Sequence, residues 1–177
     1  IRATPADRLQ KINQVRKLAS APGPVDLAHG RHLYQKVCAQ CHTLYGAGGK
    51  VGPDLTGSNR PSLDYLLENI LDPSAVVPKE YAATVIELKN GRFLTGMIRD
   101  ENPNTLTVVG ANETLTLAKA DIEDRKASDL SMMPDNLVAN LDNRQLRDLL
   151  GYLRHPSQTP ILATVETAKA FFNGKDL

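Results

Sequence analysis

Tryptophan is absent from this 177-residue chain, phenylalanine occurs three times and tyrosine five, so aromatics make up 5% of the sequence. Large flat side chains dominate most cores, and their scarcity asks what else fills this one. Charge of one sign is also missing: 21 Lys and Arg stand against 20 Asp and Glu, a formal net charge of +1. That balance excludes the broad positive field of a protein that lives on nucleic acid or anionic lipid. No run approaches the roughly 20 apolar residues of a membrane helix, so no transmembrane segment is expected. The opening residues, Ile-Arg-Ala-Thr-Pro, are neither an initiator methionine nor a signal peptide, and are expected to mark a chain processed or cut from a longer one. The length suggests one domain plus attachments. Cysteine is scarce too, at two residues, a count that taken alone would suggest one disulfide.

Both cysteines fall in Cys38-Ala39-Gln40-Cys41-His42, the C-x-x-C-H pattern of covalent haem attachment. Two intervening residues let both sulfurs reach the vinyl groups on one edge of the porphyrin, and His42 then lies beneath the iron as proximal ligand. A redox dithiol, half of a zinc site and chance compete with this reading. A thioredoxin-like dithiol wants a strand before it and a helix beginning at it. Here a helical pattern precedes Cys38, and a glycine-rich segment, Gly46-Ala-Gly-Gly, follows His42 as an expected flexible loop. A zinc site needs two further ligands at close spacing, and no second cysteine pair exists. One covalently attached haem c is the expected cofactor, and it supplies the flat apolar group that the aromatic count leaves out.

Periodicity places the motif between helices. Leu27, Gly30, Leu33, Tyr34 and Val37 recur at helical spacing before Cys38, and Leu146, Leu149, Leu150 and Leu153 form a second apolar stripe over 143–154. Asp142 is the expected N-cap of that last helix and Pro156 its stop. Residues 61–71 read as a short helix with Leu63, Leu66, Leu67 and Ile70 inward, ended by Asp72-Pro73. Arg60, with Ser58 and Asn59, lies just before it, where it could reach a haem propionate; the alternative is a solvent-exposed arginine. About 50 residues then lose the helical period. Tyr81 to Lys89 alternates, Asn90-Gly91 is a hairpin signal, and 92–99, 105–109 and 114–118 supply three further short strands.

The offsets around the motif resemble the class I cytochrome c fold. The fold class expected from this resemblance is mostly α, with cytochrome helices around a haem and a small antiparallel β-sheet or SH3-like barrel inserted at about 81–128. The resemblance implies that the helices carrying Gly30 and Tyr34 and carrying Leu149 and Tyr152 cross at close range. It implies that the Pro53 carbonyl, in Gly52-Pro53-Asp54-Leu55, accepts a hydrogen bond from the His42 ring. It also implies a sixth ligand immediately before a proline, which makes Met133 of Ser131-Met-Met-Pro134 the second axial ligand and Met132 the runner-up. Such a thioether is soft and neutral, favours ferrous iron and raises the reduction potential relative to a second histidine. Met97 sits in a strand-like alternation. His29, His32 and His155 are ligand candidates in principle and are otherwise read as surface residues.

Residues 25–155 also resemble a bacterial family of haem-binding domains found at the ends or joints of very large exported proteins. Gly-Arg-His-Leu-Tyr, Cys-Ala-Gln-Cys-His, Val-Gly-Pro-Asp-Leu, Lys-Asn-Gly-Arg-Phe-Leu-Thr-Gly and Ser-Met-Met-Pro-Asp-Asn-Leu carry the likeness. Three regions follow from it: a leading amphipathic helix and linker over 1–24, the cytochrome domain over 25–155, and a linker with the start of a following domain over 156–177. The leading helix could lie on a membrane surface or be the tail of a preceding module. Residues 171–177, Phe-Phe-Asn-Gly-Lys-Asp-Leu, resemble the opening strand of a lectin-like keto-disaccharide hydrolase domain. Glu-Leu-Lys-Asn-Gly-Arg is similar to Sm-type RNA-binding barrels, but residues 81–128 carry six basic against seven acidic residues, a balance that gives phosphates little reason to bind. The function this resemblance implies is outer-sphere one-electron transfer rather than enzymatic catalysis, in the periplasm or otherwise outside the cytoplasm, with a redox partner protein or a fused dehydrogenase domain. A haem enzyme or gas sensor with a labile sixth ligand is the rival reading, and a structural docking module that carries haem is a second.

Overall fold

The structure, a computed structural model, describes residues 3–111 and 113–160. It is 34% helix and 25% strand, with four α-helices and a five-stranded antiparallel sheet, and this overturns the mostly α expectation. The reason lies in the middle of the chain. Residues between the third and fourth helices are rich in Val, Ile, Thr and Leu in period-two order, and they form a sheet larger than a local decoration. The described residues divide into two compact units: 10–67 with 138–160, and 3–9 with 68–137. No helix among the described residues is long and apolar enough to cross a membrane. Residues 171–177 lie outside the described residues.

The first unit is helical. It takes most of α1 (Ala6–Ser20), all of α2 (Leu27–Val37), the beginning of α3 (Leu63–Leu71) and α4 (Asn143–Arg154). Helix α2 starts because the Asp26 side chain accepts from the His29 N–H at 2.9 Å, and it ends at Cys38, whose N–H returns to the Tyr34 carbonyl. Helix α4 opens with a capping box: Gln145 N–H donates to the Asp142 carboxylate at 2.8 Å and Asp142 N–H to the Gln145 side chain at 3.0 Å. The two helices cross at Gly30, where an added Cβ would lie 2.1 Å from the Asp148 carbonyl oxygen. Tyr34 and Tyr152 stack beside the crossing with ring centroids 5.8 Å apart.

The expected surface role of His29 is corrected. Its side chain is buried against the same crossing, Nδ1 2.9 Å from Asp148 Oδ2, while the other Asp148 oxygen accepts from the Asp26 N–H at 2.9 Å. A carboxylate taken out of water needs such partners. His32 and His155 are half-buried. In α1, Ile12 and Val15 are buried, whereas Leu9 stays exposed.

The second unit is the sheet, with strand order β6-β5-β4-β3-β7, where β3 is Ala82–Leu88, β4 Phe93–Glu101, β5 Thr105–Val109, β6 Thr114–Ala118 and β7 Ile122–Ser131. Ile86, Leu88, Leu106 and Val108 form its core. The β3–β4 hairpin closes through Lys89-Asn90-Gly91, with Gly91 at φ 79° in the left-handed region, the bulged three-residue form. Strand β7 is the fifth strand, which the alternation did not reveal. Its sequence, Ile-Glu-Asp-Arg-Lys-Ala-Ser-Asp-Leu-Ser, is mostly charged and exposed, and it forms an edge by backbone pairing to β3. Glu101 pins this edge through Arg125 at 3.0 Å and also meets Lys119 at 2.7 Å, and these contacts hold its carboxyl down to about 2.

Two outcomes follow from this architecture. Gly30→Ala forces backbone against backbone and is expected to destabilise the chain by about 3 kcal/mol or more, read as a lower denaturant midpoint. Because the Glu101 pKa falls from 4.5 to about 2 on folding, the stability it contributes is present above pH 4.5 and lost as pH falls toward 2. Acid titration of Glu101→Gln is therefore expected to show a shallower decline over that window than the unaltered chain.

Candidate haem site

The C-x-x-C-H segment emerges from the end of α2 and is folded into a tight loop. Cys41 and His42 N–H groups both return to the Cys38 carbonyl, at 3.1 and 3.0 Å. Tyr34 fixes the loop from inside: its hydroxyl donates to the His42 carbonyl at 2.8 Å, and burial raises its pKa. The glycine-rich segment is not the flexible loop expected. It is a hairpin of β1 (Thr43–Leu44) and β2 (Ala47–Gly48) around Tyr45 at φ 52° and Gly46 at φ 79°, consecutive left-handed residues that make the two-residue turn favoured in hairpins. The hairpin lies on the attachment loop, with Gly49 N–H donating to Ala39 O at 2.7 Å and Gly52 N–H to Cys41 O at 2.8 Å. Side chains would block this contact: an added Cβ at Gly48 or Gly49 would lie 2.1 or 2.0 Å from a carbonyl oxygen of the loop.

His42 is half-buried, and its Nδ1 lies 2.9 Å from the Pro53 carbonyl oxygen. A carbonyl only accepts, so Nδ1 carries the proton and Nε2 keeps its lone pair. The imidazole lies flat against Gly52, where an added Cβ would meet Cε1 at 2.5 Å and Nδ1 at 2.8 Å. Asp54, next in the turn, accepts from Thr56, which lowers its pKa.

Both thiols are free, Cys38 buried and Cys41 half-buried. Burial, then the neighbouring Cys41, pushes the Cys38 thiol up to about 12. With Cys38 at the C-terminal end of a helix, this setting is the reverse of the one that activates a redox cysteine. Among the described residues no group of three or more His, Cys, Asp or Glu could hold a metal ion. The donor set fits a c-type haem: two thiols at the right spacing and an imidazole whose tautomer is fixed for iron.

Arg60 is neither exposed nor free. It is 5% exposed, donates through Nη1 to the carbonyls of Leu153 at 2.7 Å and His155 at 2.5 Å, and stacks 4.8 Å over the Tyr45 ring. Its Nε is buried with no hydrogen-bond partner. Tyr45 joins the same knot through its hydroxyl, which donates to His155 O at 2.6 Å. This knot and the His29–Asp148 pair were missed by sequence reasoning. The one available signal was a charged residue on the core face of α4, Asp148 between Arg147 and Leu149. The structure thus brings Cys38, Cys41, His42 and Pro53 together and places Arg60 in the same unit. Met132 and Met133 are half-buried in the turn after β7, in the sheet unit, and Met97 is buried in β4.

A helix ending in C-x-x-C-H, with a histidine oriented by a proline carbonyl, is the arrangement expected of a c-type cytochrome domain. In agreement, residues 25–91 match the family model described as cytochrome C oxidase, cbb3-type, subunit III. The match supports a c-type cytochrome domain, a haem-binding electron-transfer module at the coarse level. No curated protein matches the chain.

Gly52→Ala is expected to push the imidazole off its seat and break the Nδ1 contact with Pro53, at a cost of about 1–3 kcal/mol. Gly57→Ala, where nothing lies within 4 Å, is the matched control. The ring resonances of His42 in a nuclear magnetic resonance spectrum report the displacement.

Proposed function

We propose that the chain is a monohaem c-type cytochrome module that passes single electrons between protein partners by an outer-sphere route. The observation that carries this reading is the Nδ1–Pro53 hydrogen bond of His42, which leaves Nε2 as the donor to iron and strengthens it. When bound, the haem supplies a one-electron ferric–ferrous couple. The remaining work falls to the chain. Cys38 and Cys41 would hold the porphyrin as thioethers, and His42 would donate to its iron. The unpartnered Arg60 Nε is a donor left over for a propionate. Met133 is the proposed sixth ligand, a reading that rests on its place immediately before Pro134. With His42 and Met133 both engaged, the haem would be suited to electron transfer rather than small-molecule chemistry.

Thioether assembly supports a location in the periplasm or otherwise outside the cytoplasm. The source of electrons is then a redox partner protein or a dehydrogenase domain fused to this one. The near-neutral charge of the chain argues against nucleic acid as a partner.

The ferric absorption spectrum of the haem-loaded chain tests the ligand set. A weak band at the red end marks methionine sulfur on iron, and Met133→Ala is expected to abolish it and lower the reduction potential while Met132→Ala keeps it. Loss of the band in Met132→Ala alone hands the ligand to Met132. A high-spin spectrum of the unaltered chain overturns the six-coordinate reading in favour of a haem enzyme or gas sensor.

A further inference from the structure

The two arginines of α1 do different things. Arg16 Nε meets Asp64 at 2.8 Å with side chains 41% and 74% exposed, an ordinary surface pair that contributes little. Arg8, only 23% exposed, spans two carboxylates: Nη1 lies 3.1 Å from Asp72 Oδ1, and Nη2 meets Asp135 Oδ2. Nη1 also donates to the Leu71 carbonyl at 3.4 Å. The Asp72 side chain is wholly buried at the end of α3. A buried carboxylate without a cation is strongly unfavourable, so Arg8 is held there by the fold. Its second amino group is what reaches out to Asp135.

Asp135 stands two residues after Met133. On the other side of that methionine, the Ser131 N–H donates to Ser74 Oγ at 3.1 Å, and the Met133 N–H donates to Ser131 Oγ at 3.1 Å. Ser74 is two residues beyond Asp72, in the turn closed by the Ala75 N–H to Asp72 carbonyl bond of 2.9 Å. The segment Ser131-Met132-Met133-Pro134-Asp135 is therefore fastened at both ends to one corner, Asp72-Pro73-Ser74. Each fastening restricts a short irregular segment whose only large side chains are two methionines.

We propose that Arg8 is a positioning residue for the Met132-Met133 segment: by bridging buried Asp72 to Asp135 it fixes the far end of the loop whose near end is held by Ser74 and Ser131. The consequence for function, which rests on the reading of Met133 as sixth ligand, is preorganisation. A neutral thioether is a weak ligand, and it competes best when its backbone has been ordered on folding rather than at ligation. On this view the leading helix is part of the ligand apparatus rather than only the remnant of a neighbouring module.

The test uses the full haem-loaded chain and two readouts: the affinity of ferric iron for added imidazole, which displaces a weak sixth ligand, and amide hydrogen exchange at Met133. Asp135→Asn leaves the buried Arg8–Asp72 pair in place, so it keeps the fold while cutting the bridge. Because the Asp135 side chain is half exposed, the substitution is expected to raise imidazole affinity about threefold to fivefold, and to speed Met133 exchange by a similar factor. In an Arg8→Gln background the same substitution is expected to add nothing further, the mark of two residues acting through one contact. Arg8→Lys, which keeps the charge but lacks the two-pronged fork, is expected to restore only part of the effect, and Arg16→Gln none of the disturbance. Asp135→Asn with both readouts within twofold of the unaltered chain overturns the proposal. If Met133→Ala leaves the red band intact, the sixth-ligand reading fails on its own, and Met133 exchange alone decides the bridge: faster exchange in Asp135→Asn upholds it, an unchanged rate overturns it.

Discussion

At Gly30 the backbones of α2 and α4 come so close that an added Cβ would sit 2.1 Å from the Asp148 carbonyl oxygen, and the haem site is hung from that contact. Close approach puts Tyr34 against Tyr152, and the Tyr34 hydroxyl then reaches the His42 carbonyl. His42 is thus held from its backbone by one helix and from its ring by Pro53, which leaves the imidazole little freedom. The crossing also explains the buried charges. A backbone contact this tight leaves no room for large apolar side chains at its centre, and Asp148 uses the space to hold the start of α2 through the Asp26 N–H and His29.

Much of this was legible in the sequence because it depends on local pattern. The C-x-x-C-H spacing, the period of 27–37 and 143–154 and the Asp142 cap are all short-range signals whose geometry a helix dictates, whereas Gly30 as the crossing point came through the family resemblance. The His42–Pro53 contact was legible only through a family resemblance, since a Gly-Pro turn by itself fixes no partner. Other features were not legible for physical reasons. Strand β7 shows no apolar alternation because an edge strand full of charge draws its stability from backbone bonds to β3. His29 and Arg60 look like surface residues until their partners arrive from more than 90 positions away. The glycines at 46, 48 and 49 read as flexibility, yet Gly46 supplies the left-handed turn, and Gly48 and Gly49 remove side chains so that a hairpin can lie on the attachment loop.

The mostly α expectation failed for an instructive reason. It took the cytochrome helices as the body of the protein and the intervening residues as an ornament, but β3 to β7 have a core of their own in Ile86, Leu88, Leu106 and Val108. A sheet with its own buried centre is a folding unit. Family likeness ending at residue 91 is consistent with this, since the match stops at the first hairpin of the sheet.

How so large a unit can stand between α3 and the methionine segment is a question of where its ends lie. The chain leaves the corner at Asp72 and, after five strands, comes back to it: Ala82 pairs with Ser131 across β3 and β7, and the Ser131 N–H bonds to Ser74 Oγ. A loop whose ends are already joined can grow at small entropic cost, because closure depends only on the logarithm of its length. The return strand therefore delivers Met132 and Met133 to the same place in the sheet unit whatever the strands beyond it do. Variation at the β4–β5 and β5–β6 turns is then free to serve a partner without disturbing the methionines, while the Asp72-Pro73-Ser74 corner, Arg8 and Ser131 are not.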